Sequence, residues 1–168
     1  ASPLLKIDLS AITNMQLSQD NEYEVLSAHL RLFRADGGSA SPGENNITLG
    51  ITEVYDYWNE SATTNLSDGM TPWSENCCGN PIGTYTVDFT DDWINFNITE
   101  LVQQAHYGGS DQVSLILHDE SNSSVTWSFA SSDYTLYSNR RPILNLTYRI
   151  GEPWLPSSPS SLSPLPDS

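Results

Sequence analysis

Apolar and polar residues alternate along this chain with a period of two, and that alternation narrows the fold before composition does. Leu5, Ile7 and Leu9 alternate with Lys6, Asp8 and Ser10; Leu26, Ala28, Leu30 and Leu32 alternate with Ser27, His29, Arg31 and Phe33. Successive side chains of a strand point to opposite faces, so such runs bury one face and wet the other. Further strand-like runs cover Ile47 to Trp58, Thr84 to Phe89, Ile94 to Ile98, Val113 to Leu117, Val125 to Phe129 and Ile143 to Ile150. Gly, Ser, Asn, Asp and Pro crowd the breaks, as turns require. The pattern predicts packed antiparallel sheets: an all-β sandwich over residues 1–150. One short helix is expected, capped by Thr99, with Leu101, Val102 and Ala105 on one face and an end near Gly108-Gly109. Residues 151–168 are nearly all Pro, Ser and Leu and predict an extended Pro/Ser-rich C-terminal tail. Trp154 heads that tail and is its candidate anchor in an apolar groove.

Charge then removes whole classes of partner. The chain has 21 acidic against 6 basic residues, a net charge of −15. Nucleic-acid binding is excluded in practice, because neutralising phosphates needs Lys and Arg. Anionic membrane surfaces are disfavoured for the same reason. No apolar run approaches the ~18–20 residues that span a bilayer.

The compartment is read from asparagine and cysteine. Six Asn-x-Ser/Thr sequons begin at Asn46, Asn59, Asn65, Asn97, Asn122 and Asn145. With 13 Asn and 37 Ser plus Thr, chance gives about three. Asn46, Asn97 and Asn145 alternate with apolar neighbours, which in strands sets them on the solvent face. N-glycosylation and an extracellular or cell-surface location are the expectation, and a start at Ala1-Ser2-Pro3 suits a chain trimmed of a leader. Cys77 and Cys78 are adjacent and cannot close an ordinary intrachain loop. A vicinal disulfide, links to other chains or free thiols remain, with the first favoured in an oxidising compartment. Zinc is disfavoured, since there is no third Cys.

No catalytic constellation emerges, and no enzyme activity is expected. His29, His106 and His118 read as surface histidines. Asp91-Asp92 and Asp119-Glu120 read as solvated charge, with loop-held calcium a weak alternative. Nothing selects a carboxylate pair at glycosidase separation. The aromatics are more informative. Trp127 alternates with Val125 and Phe129 and reads as core. Trp73, in Thr71-Pro72-Trp73-Ser74 beside the cysteines, is the candidate platform for stacking on a sugar ring.

Ordered landmarks then suggest a family. Leu4-Leu5-Lys6-Ile7-Asp8-Leu9-Ser10 resembles the "LLKFDLS" strand of DNRLRE-type domains, a carbohydrate-binding-module family of β-sandwich form. Ser27 to Phe33 is similar to its "SAxLRLY" strand, and Val54 to Glu60 to its strand ending in Trp-x-Glu. Phe96 to Val102 resembles its "DVTxLV" element, and Arg141 to Tyr148 its closing "RPxLxVTY" strand. The same landmarks recur in propeptides of TGF-β-type growth factors. The resemblance spans residues 4–150 and implies a jelly-roll sandwich. Family members carry two strand segments before the first landmark, where this sequence has Ala1-Ser2-Pro3; an open edge and an uncovered core groove are therefore expected. The leading expectation is a structural subunit of a glycosylated extracellular assembly, a filament or surface coat. Its copies would self-associate by strand or tail complementation. The alternatives are a carbohydrate-binding module, implied by the resemblance, and a growth-factor-propeptide-like shielding domain. The last has no cystine-knot partner and no terminal basic processing site, since Arg140-Arg141 sits inside the closing-strand motif.

Overall fold

The computed structural model describes residues 3–13, 22–35, 46–88, 92–121 and 128–151. Two antiparallel sheets pack face to face. One has the order β1-β6-β3-β4, built from Leu4–Asp8, Gln112–Asp119, Asn46–Val54 and Cys78–Asp88. The other has the order β5-β2-β7, built from Trp93–Asn97, Glu22–Phe33 and Ile143–Gly151. A single turn, α1 (Ser10–Thr13), follows β1, and a longer helix, α2 (Thr99–Tyr107), follows β5. The core lies between the sheets, where Ile7, Leu30, Leu32, Ile51, Ile94, Phe96 and Leu115 are buried together. The all-β sandwich expected from the alternation is what forms. Asn122, Trp127, Trp154 and the 152–168 tail lie outside the described residues.

The strand phases differ from the sequence reading in one informative place. Ala28, Leu30 and Leu32 face inward as expected, but Leu26 is 45% exposed and Val25 is fully buried. The cause is a register irregularity between Val25 and Ser27 in the β2–β7 ladder. An extra residue there reverses which face the next side chain takes. The disturbed backbone is satisfied from α2: the Tyr107 hydroxyl accepts the Val25 N–H at 3.2 Å, and Gln103 Nε2 donates to the Val25 carbonyl at 2.8 Å.

Other boundaries move as well. β3 ends at Val54, not Trp58. β4 begins at Cys78, six residues before the expected Thr84. Pro81, which reads as a turn residue, sits opposite Thr52 at a register irregularity, where a missing N–H is tolerated. Thr99 is the first residue of α2 and not its cap. Its hydroxyl accepts the Ala28 N–H at 3.0 Å and lies 2.6 Å from Asn97 Oδ1, while Asn97 Oδ1 accepts the Thr99 N–H at 3.1 Å. Leu101 and Val102 are buried under the helix as expected. At its other end Ser110 N–H bonds to Ala105 O and Gly109 N–H to His106 O. Such a Schellman closure needs a left-handed residue, and Gly109 supplies it at φ 76°.

Tyr107→Phe removes the acceptor for a fully buried amide. The expected cost is about 1–3 kcal/mol, read as a lower urea midpoint with unchanged slope.

Candidate functional site

The two sheets meet unevenly along their sides. β4 and β5 are facing edge strands, and α2 leaves β5 across the end of the gap. Between them runs a groove in two chambers of about 610 Å³ and 430 Å³ that share Ile82, Asn97 and Glu100. The first chamber has an apolar floor of Ile51, Phe96 and Ile82 and polar walls of Thr84, Asn95 and Gln103. The second is walled by Glu53, Tyr55, Asn80, Pro81 and Gln104.

Each wall follows from the local fold. Glu53 pairs with Leu115, a buried inward residue, so its side chain is directed to the inner layer at the end of the sandwich. Burial pushes the Glu53 carboxyl above its ordinary value. Tyr55 begins the long β3–β4 connection and is held by its N–H, which donates to Cys77 O at 2.6 Å. The sulfurs of Cys77 and Cys78 are bonded to each other, which stiffens the dipeptide that supplies this carbonyl. The Tyr55 hydroxyl lies over Gly79, where a Cβ would meet it at 2.6 Å; only glycine allows the phenol so close.

The remainder of residues 55–77 folds on itself. Asp56 clamps Ser74, accepting its N–H and its hydroxyl, both at 2.8 Å. Asp68 accepts the N–H groups of Thr71 at 2.6 Å and Met70 at 2.9 Å, which holds its carboxyl below the usual value. Trp58 is buried at 7% exposure, and Lys6 Nζ donates to its carbonyl at 2.5 Å while sitting 4.5 Å from its ring centroid.

Four polar groups of the second chamber are free, while Gln104 Nε2 donates to Glu100 Oε1 at 3.5 Å. Glu53, the Tyr55 hydroxyl, the Asn80 amide and Nδ2 of Asn97 have no hydrogen-bond partner among the described residues. No Lys, Arg or His lines either chamber. The six basic side chains are engaged elsewhere: Lys6 at Trp58, Arg31 over Trp93, Arg140 over Phe33 and Tyr137, Arg141 on Tyr134 O, and Arg149 on Glu24, with Arg34 also partnered. No group of three or more His, Cys, Asp or Glu placed to hold a metal ion occurs among the described residues.

The residues singled out from sequence are scattered. Trp73 is half-buried in the 55–77 loop; its indole N–H donates to Thr63 O at 3.0 Å, and it lines neither chamber. Asn59 is half-buried and Asn65 exposed in the same loop. Asn97 and Asn145 are exposed and flank His29 in one cross-strand row on the outer face of the β5-β2-β7 sheet. Asn46 lies in β3. His118 meets Glu120 at 2.5 Å away from the groove. The groove itself escaped sequence reading. Glu53, Tyr55, Asn80 and Asn97 come from three strands and a loop, and only Tyr55 and Asn97 stood inside recognised motifs.

On the opposite side, beside β1, a cavity of about 700 Å³ is lined by Leu5, Leu30, Leu32, Phe129 and Trp58, whose buried indole N–H has no partner among the described residues.

Fold and groove define a β-sandwich module with a lateral polar cleft. The chain belongs to carbohydrate-binding module family 96, whose profile matches residues 4–148. No curated protein matches it in sequence. No helix among the described residues is long and apolar enough to cross a membrane.

Glu53 provides a test of the chamber. A raised folded-state value means that Glu53 favours folding in its protonated form, and that this contribution is lost as pH rises through the raised value. Glu53→Gln is therefore expected to raise Tm at neutral pH. The difference from the parent should close below the ordinary glutamic-acid range; a pH-independent difference would refute the assignment.

Proposed function

We propose that this module binds a neutral, hydroxyl-rich saccharide in the β4–β5–α2 groove. The carrying observation is the convergence of the unpaired side-chain groups of Glu53, Tyr55 and Asn80, and of Asn97 Nδ2, on a cleft lined by no cationic side chain. Amides and carboxylates exchange hydrogen bonds with vicinal hydroxyls in a fixed geometry, and an aromatic face covers the apolar face of a sugar ring. A polyuronate or sulfated chain would meet Glu53 and Glu100 with no compensating charge, at a cost set by like-charge repulsion and desolvation. Calcium bridging would be needed to admit one. The module acts by binding and holds no catalytic role in this reading. Its location is extracellular or at the cell surface, and the DNRLRE-type likeness supports the same class.

Binding to an array of neutral and uronic oligosaccharides, with and without calcium, tests the proposal. Signals are expected for neutral chains. Tyr55→Ala should weaken them at least tenfold. Gly79→Ala should weaken them with little change in Tm, because its Cβ displaces the phenol. Trp73→Ala separates a groove ligand from a loop platform: loss on Trp73→Ala alone would move the site to the loop. Silence of every array feature would refute saccharide binding.

One observation keeps a second reading in view. The apolar cavity beside β1, with its unpaired Trp58 N–H, suits insertion of a segment from a second copy, the contact that a filament or coat subunit requires. Family membership favours binding over this reading. Light scattering of the native chain decides: a monomer at all concentrations removes the assembly.

A further inference from the structure

Among the described residues, Asn97 is the one sequon asparagine that lines the groove, and it lines both chambers where they meet. Its Oδ1 is committed to the N–H and hydroxyl of Thr99, the residue that completes the sequon. That commitment fixes the amide and leaves Nδ2 as its free polar atom. Nδ2 is also the atom that N-glycosylation modifies. One nitrogen therefore serves two ends: unmodified, it donates to a saccharide in the groove; modified, it carries a saccharide at the groove's own waist.

We propose that Asn97 is a glycan-controlled gate, open to external saccharide when unmodified and blocked by the attached sugar when modified. The inference rests on the groove being the saccharide site. In the modification, Nδ2 forms a bond to C1 of N-acetylglucosamine, and the C1–O bond to the diphosphate of a lipid-linked glycosyl donor breaks. The diphosphate leaves with the electron pair and Nδ2 loses one proton. The attached sugar enters a site already equipped for hydroxyls, with Asn80, Tyr55 and Glu53 in the same chamber. It competes intramolecularly, at an effective concentration that a soluble ligand rarely matches.

Asn145 provides the internal control. It is exposed on the same outer face, in the same row as Asn97, with His29 of β2 between them. Neighbouring strands lie about 4.8 Å apart, so the two asparagines are separated by roughly 10 Å. Asn145 lines neither chamber, so a glycan there leaves the groove clear.

The full chain is produced in a secretory host that N-glycosylates, and occupancy at each sequon is read by peptide mass. Four forms are compared on the same oligosaccharide array: glycosylated parent, parent trimmed by endoglycosidase to single N-acetylglucosamine stubs, unmodified parent from a host that does not N-glycosylate, and glycosylated Asn145→Gln. Occupied Asn97 should reduce binding at least tenfold relative to the unmodified parent, and Asn145→Gln should stay as weak as the glycosylated parent. The trimmed form should remain weaker than the unmodified parent, because the blocking sugar is the first one. An unoccupied Asn97, or equal binding by glycosylated and unmodified parent, overturns the gate while leaving the groove proposal standing. Silence of all four forms overturns both.

Discussion

The groove end of this sandwich depends on how one irregularity in β2 is satisfied. The register break between Val25 and Ser27 takes a fully buried residue out of the regular ladder rhythm. Buried backbone groups are almost always paired, and an unpaired one costs about 1–3 kcal/mol. α2 supplies the partners through Tyr107 and Gln103, so the helix has to lie where those side chains reach Val25. That position turns Glu100, Gln103 and Gln104 toward the β4–β5 gap and makes the helix a wall of the groove. Thr99 ties the helix start to Ala28 in the same strand, and through Asn97 to the end of β5. A sheet defect, a helix dock and a cleft are thus one hydrogen-bonded unit.

The division between what the sequence revealed and what it hid follows from range. Period-two burial is local, so Ile7, Leu30, Leu32, Ile94 and Leu115 were legible as core. The helix end was legible because Gly109 meets a local need for left-handed backbone. The Leu26 phase was not, because a bulge is visible only against a partner strand, and here the partner, β7, lies more than a hundred residues away. Thr99 misled for a related reason: its hydroxyl suits a cap, but a distant amide at Ala28 competes for it and wins. The early start of β4 was masked by Gly79, Asn80 and Pro81, residues that punctuate turns in isolation and here occupy a strand with register irregularities. The groove was the least legible part, since Glu53 and Asn80 stand in no motif and meet Tyr55 and Asn97 only once the strands are paired.

Electrostatics gives the net charge of −15 a local meaning. A strongly acidic module gains solubility and repels other polyanions, an effect of the whole field and not of any one contact. The six cations do not soften it at the groove. They are used as structural pins: Lys6 against the Trp58 carbonyl and ring, Arg31 and Arg140 against aromatic faces, Arg141 on a carbonyl. A guanidinium over an aromatic face contributes about 0.5–1 kcal/mol when exposed, and it withdraws both partners from ligand binding. Trp93 and Phe33, aromatic and half-buried on the outer face, are occupied in this way.

The rings outside these pairings therefore matter more. Tyr55 is 63% exposed, and no cation stacks on it among the described residues. Its position is nonetheless fixed, by a backbone bond to Cys77 whose carbonyl is stiffened by the adjacent bridge, and by the bare backbone of Gly79 beneath its hydroxyl. An exposed ring normally loses rotamer freedom on binding, at roughly 0.5–1.5 kcal/mol per immobilised side chain. A ring already seated loses less, so in the proposed site the constraint around Tyr55 would add affinity without adding a contact. The adjacent cysteines, which cannot staple the fold, stiffen the backbone that seats Tyr55 in the proposed site.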